Sequence, residues 1–154
     1  DTVSVAPLLQ ICRLMGLPSI VRVQDSVYHL VAKVLDMGAD GVIVSTPTGS
    51  TGYNMSAGGP IAEPGAQLLI LTPICAHTLN SRSIILRSDD VVEIVIDSGR
   101  NGSELTVEAS FDGNETEAMV TGDTLRICRS ECTTTIVKLD ERSFLEALHR
   151  KMSV

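Results

Sequence analysis

Apolar side chains recur at a helical period near the start of the chain and at a strand period beyond residue 40. Over residues 7–16, Leu8, Ile11, Cys12 and Met15 form a stripe that stops at Gly16, which predicts a helix. The β-branched run at 19–23 predicts a strand. Over 27–37, Val27, Leu30, Val31, Val34 and Leu35 share a helical face closed by Gly38. Residues 40–44 form a strand without polar interruption after Asp40, expected to be buried on both faces. Helix, strand, helix, strand is the rhythm of a parallel βα sheet.

Beyond that point the pattern is all strand. Short runs at 68–71, 84–86, 91–96, 105–110, 124–128 and 133–139 are separated by turn residues: Ser88-Asp89-Asp90, residues 98–102, Asp112-Gly113 and Gly122-Asp123. Such spacing predicts a β-sandwich or meander, with a hairpin at Asp112-Gly113. A helix over 143–152 closes the chain, with Ser143 and Glu146 spaced as a capping box. The fold class expected is therefore α+β: a short α/β segment over 1–38, then a β domain with a C-terminal helix over 39–154.

Composition sharpens this in three ways. Only 3% of residues are aromatic and Trp is absent, so the core has to be built from aliphatic side chains and not from stacked rings. The net charge of −7, from 19 acidic and 12 basic residues, repels phosphate backbones and argues against a nucleic-acid partner. Cys12, Cys75, Cys128 and Cys132 show no C-x-x-C spacing, and no metal site is visible. They read as buried thiols of a reducing compartment. No run approaches a membrane span and no leader opens the chain, so a cytoplasmic setting is expected. The first residue is Asp and not Met, which reads as a processed or excised piece. The pair Asp89-Asp90 is expected to make a turn, not an acid/base couple.

The chemistry is concentrated at residues 45–53, STPTGSTGY, which gather five aliphatic hydroxyls, two glycines and a phenol directly after the buried strand. Hydroxyls both donate and accept, and glycines admit close backbone approach. Ser50 or Thr51 is placed to cap a short helix running to Ala57 and ended by Gly58-Gly59-Pro60. Two readings stand at this point. The segment is a well-capped turn, or it is a nucleotide-binding bend at the carboxyl end of a strand. Neither a Walker loop nor a Rossmann fingerprint is present.

Residues 39–65, ADGVIVSTPTGSTGYNMSAGGPIAEPG, resemble the signature segment of NAD kinases. The stretch LTPICAHTLNSRSIIL at 71–86, the FDG at 111–113, the GD at 122–123 and the closing FLEALHRKMS are similar to that family in order and spacing. The resemblance implies that Asp40 and the run Thr51, Gly52, Tyr53, Asn54, Met55 and Ser56 bind NAD or NADP, with Tyr53 lining the site. It extends the same role to Asn114, where the family often has Gln; Gly52 stands where the family commonly has Ala. His77 is expected to order its loop. Homo-oligomerisation through the β domain is also implied.

The complete family enzyme uses ATP (or polyphosphate) and a divalent metal to phosphorylate NAD. It needs a Gly-Gly-Asp-Gly-Thr segment that these 154 residues do not contain. Phosphoryl transfer rests on positioning and charge stabilisation around the transferred group. Binding without turnover is therefore the expectation. Residues 1–44 are in turn similar to part of the HpcH/HpaI aldolase family, metal-dependent (β/α)8 barrels in which Arg22 matches a carboxylate-binding arginine. That resemblance implies a chimera joined within residues 39–44, with an aldolase-like fragment or a scaffold without ligand as the alternative functions.

Overall fold

The structure, a computed structural model, describes residues 2–5, 19–24, 29–33, 41–74, 82–98, 102–113, 115–132, 134–137 and 142–153. The expected helix over 7–16, Asp40, His77, Asn114, Cys12 and Cys75 lie outside the described residues.

The β-rich part forms where the alternation places it. Strand β4 (Gly41–Ser45) pairs antiparallel with β5 (Leu68–Ile74), and β5 with β6 (Ile84–Arg87). Strand β7 (Val91–Ile96) buries Val92, Ile94 and Ile96 and leaves the alternate positions partly exposed. It lies between β10 (Thr124–Ile127) and β2 (Ser19–Gln24). Side chains from β4, β5, β6, β7, β10 and β8 (Thr106–Phe111) meet in one cluster that includes Val42, Val44, Leu69, Leu71, Ile94 and Ile127. This aliphatic core is the one the composition requires.

β4 and β5 are buried on both faces, and their register shows how. Val44 opposes Leu71, and both enter the core. Ile43 opposes Thr72 and Ser45 opposes Ile70; all four are almost fully buried on the other face of the same pair. That second face is where the segment after β4 folds back.

The amino-terminal expectations fail. Residues expected as a helix over 27–37 include a strand, β3 (His29–Lys33), hydrogen-bonded antiparallel to β2 from Ile20↔Lys33 to Gln24↔His29. Leu30, Val31 and Val34 satisfy a helical stripe, but a short apolar run fits either period, and the hairpin partner decides it. Every strand pair among the described residues is antiparallel, so the parallel βα sheet is not formed. β2 pairs with β7 over Ser19↔Ile96 to Gln24↔Val91, so a strand from each side of residue 38 lies in one sheet. A further strand, β1 (Thr2–Val5), pairs with β11 (Thr134–Val137).

One strand escapes the pattern altogether. β9 (Glu115–Val120) is almost wholly exposed and carries no apolar alternation. It is set by the preceding turn, where Asp112 and Gly113 both take positive φ (49° and 74°) and Phe111 is brought opposite Glu115. The closing helix α2 (Phe144–Met152) has the expected capping box: Glu146 N donates to Ser143 Oγ at 3.2 Å, and Ser143 N donates to Glu146 Oε2 at 2.7 Å. The turn at Ser88-Asp89-Asp90 also forms, with Asp90 accepting from Arg87 N at 2.8 Å. Cys128 and Cys132 are exposed, contrary to the expectation of buried thiols: Ile127 is the last buried residue of β10, and the chain then turns outward.

Because Gly113 occupies left-handed backbone, Gly113→Ala is expected to destabilise the protein by about 1 kcal/mol. The urea midpoint should fall with an unchanged slope. A midpoint equal to wild type would mean that the turn does not hold this conformation in solution.

Candidate functional site

Pro47 opens the bend that follows β4. A 3-10 turn (Thr48–Thr51) leads through Gly52 into the short helix α1 (Tyr53–Ser56). No side-chain hydroxyl caps either helix, and α1 is a single turn. The expected capping of this helix by Ser50 or Thr51 is therefore not formed. The hydroxyls serve the bend itself. Ser45 Oγ donates to Thr46 O at 2.8 Å, and Gly49 N donates to Thr46 Oγ1 at 3.2 Å. Ser50 Oγ donates to Pro47 O at 2.5 Å and accepts from Ala62 N at 2.9 Å, which fastens the bend to the segment leaving α1. Thr48 Oγ1 is buried and has no partner among the described residues.

The centre of the arrangement is Asn54, fully buried on the inward side of α1. Its Nδ2 donates to Ser50 O at 3.1 Å and to Pro60 O at 2.9 Å, so both amide protons are committed and the orientation of the amide is fixed. Its Oδ1 accepts from Thr72 Oγ1 at 2.7 Å, and Thr72 Oγ1 lies 2.8 Å from Ser83 Oγ. Thr72 has one proton and gives it to Asn54, so the Ser83 hydroxyl must donate to Thr72. The chain of donors runs from Ser83 through Thr72 to Asn54 and ends on two main-chain carbonyls. Gly59 is required beside it: a Cβ there would lie 2.2 Å from Asn54 Oδ1.

Alongside the bend is a half-open cleft of about 450 Å³. Ala57, Gly58 and Pro60 form one wall, Thr72 and Pro73 of β5 a second, and Arg82 and Ser83 the approach to β6. Thus the hydroxyls point at their own main chain, but a cavity lies beside them.

The expected site residues separate accordingly. Tyr53 is 44% and Met55 40% exposed on the short helix that precedes the cleft wall, with Thr51 and Ser56 also exposed and Gly52 half-buried. Asn54 faces inward, and its side chain is spent on holding the bend. Asp40 and Asn114 lie outside the described residues. Thr72, Arg82 and Ser83 were not anticipated. The available signal was Thr72 itself, a hydroxyl within the apolar strand LLILTPI, which burial obliges to find a partner.

Residues 19–139 match the model of the ATP-NAD kinase C-terminal domain. The chain belongs to that family. Its relatives include the NAD kinase of Agathobacter rectalis, 51% identical over 114 residues, which are 74% of this chain and 40% of the relative. The NAD kinase of Carboxydothermus hydrogenoformans is 41% identical over 119 residues, 77% of this chain and 41% of the relative. The chain thus spans about two-fifths of the length of these curated relatives. Among solved structures, yeast NADH kinase complexed with NADH superposes with a TM-score of 0.71 at 26% identity, covering 92% of this chain and 40% of the other. The NAD kinase from Archaeoglobus fulgidus in complex with ATP has the same fold: TM-score 0.71, 21% identity, covering all of this chain and 61% of the other. The family match begins at residue 19, inside the segment assigned by resemblance to an aldolase. The antiparallel pairing of β2 likewise differs from the parallel strands of a (β/α)8 barrel.

If Asn54 organises the bend, Asn54→Ala leaves the carbonyls of Ser50 and Pro60 without their partner and is expected to cost about 3 kcal/mol. Gly59→Ala is expected to destabilise through the clash with Asn54, and to cost distinctly less when Asn54 is already Ala. Strict additivity in a denaturation cycle of the four proteins would contradict the contact.

Proposed function

We propose that this chain is the dinucleotide-binding domain of an NAD kinase and that it takes NAD or NADP in the cleft beside the bend. The observation that carries the reading is the cleft itself, about 450 Å³ against the family's signature segment, with its wall at Thr72 tied to Asn54. In support, the bend keeps its shape through its own side chains and leaves Thr51, Tyr53, Met55 and Ser56 outward. In this reading Tyr53 presents its ring to a base, Met55 adapts to the apolar edge, and Thr51 and Ser56 meet ribose hydroxyls. Asp40 and Asn114 belong to the same site by resemblance. Asn54 acts as a positioning residue.

The parent reaction is phosphorylation of NAD at the adenosine 2′-hydroxyl by ATP or polyphosphate with a divalent metal. Among the described residues no group of three or more His, Cys, Asp or Glu is gathered to hold a metal. No Gly-Gly-Asp-Gly-Thr segment lies within the 154 residues to hold donor phosphates. In this reading these residues bind and orient the acceptor, and the 154 residues alone turn over little or nothing.

Calorimetric titration of the purified 154-residue chain with NAD and NADP tests the binding claim: heat and a raised melting temperature are expected. Neither effect with either nucleotide would remove it. Tyr53→Ala is expected to weaken binding by about tenfold, as loss of a stacking ring does, without shifting the melting temperature of the unliganded chain. Robust NADP formation from NAD and ATP by the isolated chain would overturn the claim about turnover.

A further inference from the structure

A chain with net charge −7 attracts no phosphate at long range, and exposed charges are screened beyond about 8 Å at physiological salt. A phosphate-bearing ligand therefore has to be held by donors inside its own cleft. Of the side chains lining the cleft, three are polar: Thr72, Ser83 and Arg82. The Thr72 proton is committed to Asn54 Oδ1, and the Ser83 proton to Thr72. Neither hydroxyl therefore has a proton left to donate, so both can only accept, which suits a hydroxyl of a ligand and not an anion.

Among the described residues Arg82 is the remaining donor, and the one charged group in the lining. Arg87 is held by Asp90 at 3.3 Å, and Arg126 faces Glu93 at 3.8 Å. Among the described residues no carboxylate pairs with Arg82. Its exposed guanidinium is a planar fork whose geometry matches two phosphate oxygens at once.

We infer that Arg82 is the anion-binding residue of this cleft and that it takes the pyrophosphate linkage of the dinucleotide. The inference rests on the reading of the cleft as a dinucleotide site and adds to it the group that holds the phosphates. The exposed ring of Tyr53 is left to the base, and the lone pairs of Ser83 to ribose hydroxyls. A single guanidinium on an acidic protein also implies that binding weakens with salt.

The test compares wild type, Arg82→Gln and Arg82→Lys by calorimetric titration with inorganic pyrophosphate, NAD and NADP at two salt concentrations. Arg82→Gln is expected to remove measurable pyrophosphate binding and to weaken NAD and NADP equally, by tenfold or more. Arg82→Lys should retain part of the affinity, and the salt dependence should flatten in the Gln variant. Equal melting temperatures of the three unliganded proteins show that the effect is not one of folding. Wild-type affinities in Arg82→Gln overturn the inference while leaving dinucleotide binding intact. A loss confined to NADP assigns Arg82 to the 2′-phosphate and overturns the pyrophosphate assignment. Arg82-dependent binding of pyrophosphate without binding of NAD or NADP keeps the anion site and removes the dinucleotide reading. No binding of any of the three by wild type removes both.

Discussion

One buried amide holds the bend in place. Asn54 has two protons and one carbonyl oxygen, and each meets a partner from a different stretch of chain: Ser50 within the bend, Pro60 beyond α1, and Thr72 on β5. In a site that excludes water, such a group is stabilising when every bond is made and costly when one is missing. The bend therefore has one arrangement that satisfies Asn54, and departures from it strand a polar group in the interior. Gly59 follows from the same requirement, because a side chain there would occupy the space of the Asn54 amide.

This constraint explains why a hydroxyl-rich loop is not simply a hydroxyl-lined pocket. Sequence composition counts oxygens without showing where they point. Ser45, Thr46 and Ser50 close short loops onto neighbouring main-chain groups, as serine and threonine do wherever the backbone lacks regular partners. Their contribution is rigidity. What remains open to solvent is the outward edge, Thr51 to Ser56 without Asn54, and the cavity between residues 57–60 and β5. The two readings left open by the sequence, a capped turn and a nucleotide-binding bend, are thus compatible: the internal bonds make the turn, and the turn makes the cleft wall.

Legibility in the sequence tracked the strength of local signals. β4 was readable because an unbroken apolar run between turns has to be covered on both faces, and Ile43 with Ile70 on one side and Val44 with Leu71 on the other bear this out. The β8–β9 turn and the cap of α2 were readable because few residue types satisfy those backbone demands. β3 was misread because Leu30, Val31 and Val34 fit both periods, and only the pairing with β2, a non-local fact, separates them. β9 had no apolar pattern to read, since nearly all of it faces solvent. Arg82 and Ser83 lie in the stretch 71–86 that resembles the family, but nothing in their spacing marks them as lining a cleft. Ser83 matters through Thr72, eleven residues away across the β5–β6 connection, and Arg82 through the cleft that both line.

Pre-organisation of this kind separates binding from chemistry. A ligand that finds its cleft already shaped does not have to supply the free energy of ordering it. Among the described residues, the side-chain bonds that brace this cleft lie within residues 45–83. Phosphoryl transfer has the opposite character. It depends on charges and donors set around the transferred group, and the donor-phosphate motif of the family has no counterpart in these 154 residues. The shape of the cleft wall is thus a local property of one bend and its neighbouring strands, whereas the demands of phosphoryl transfer are set around the transferred group.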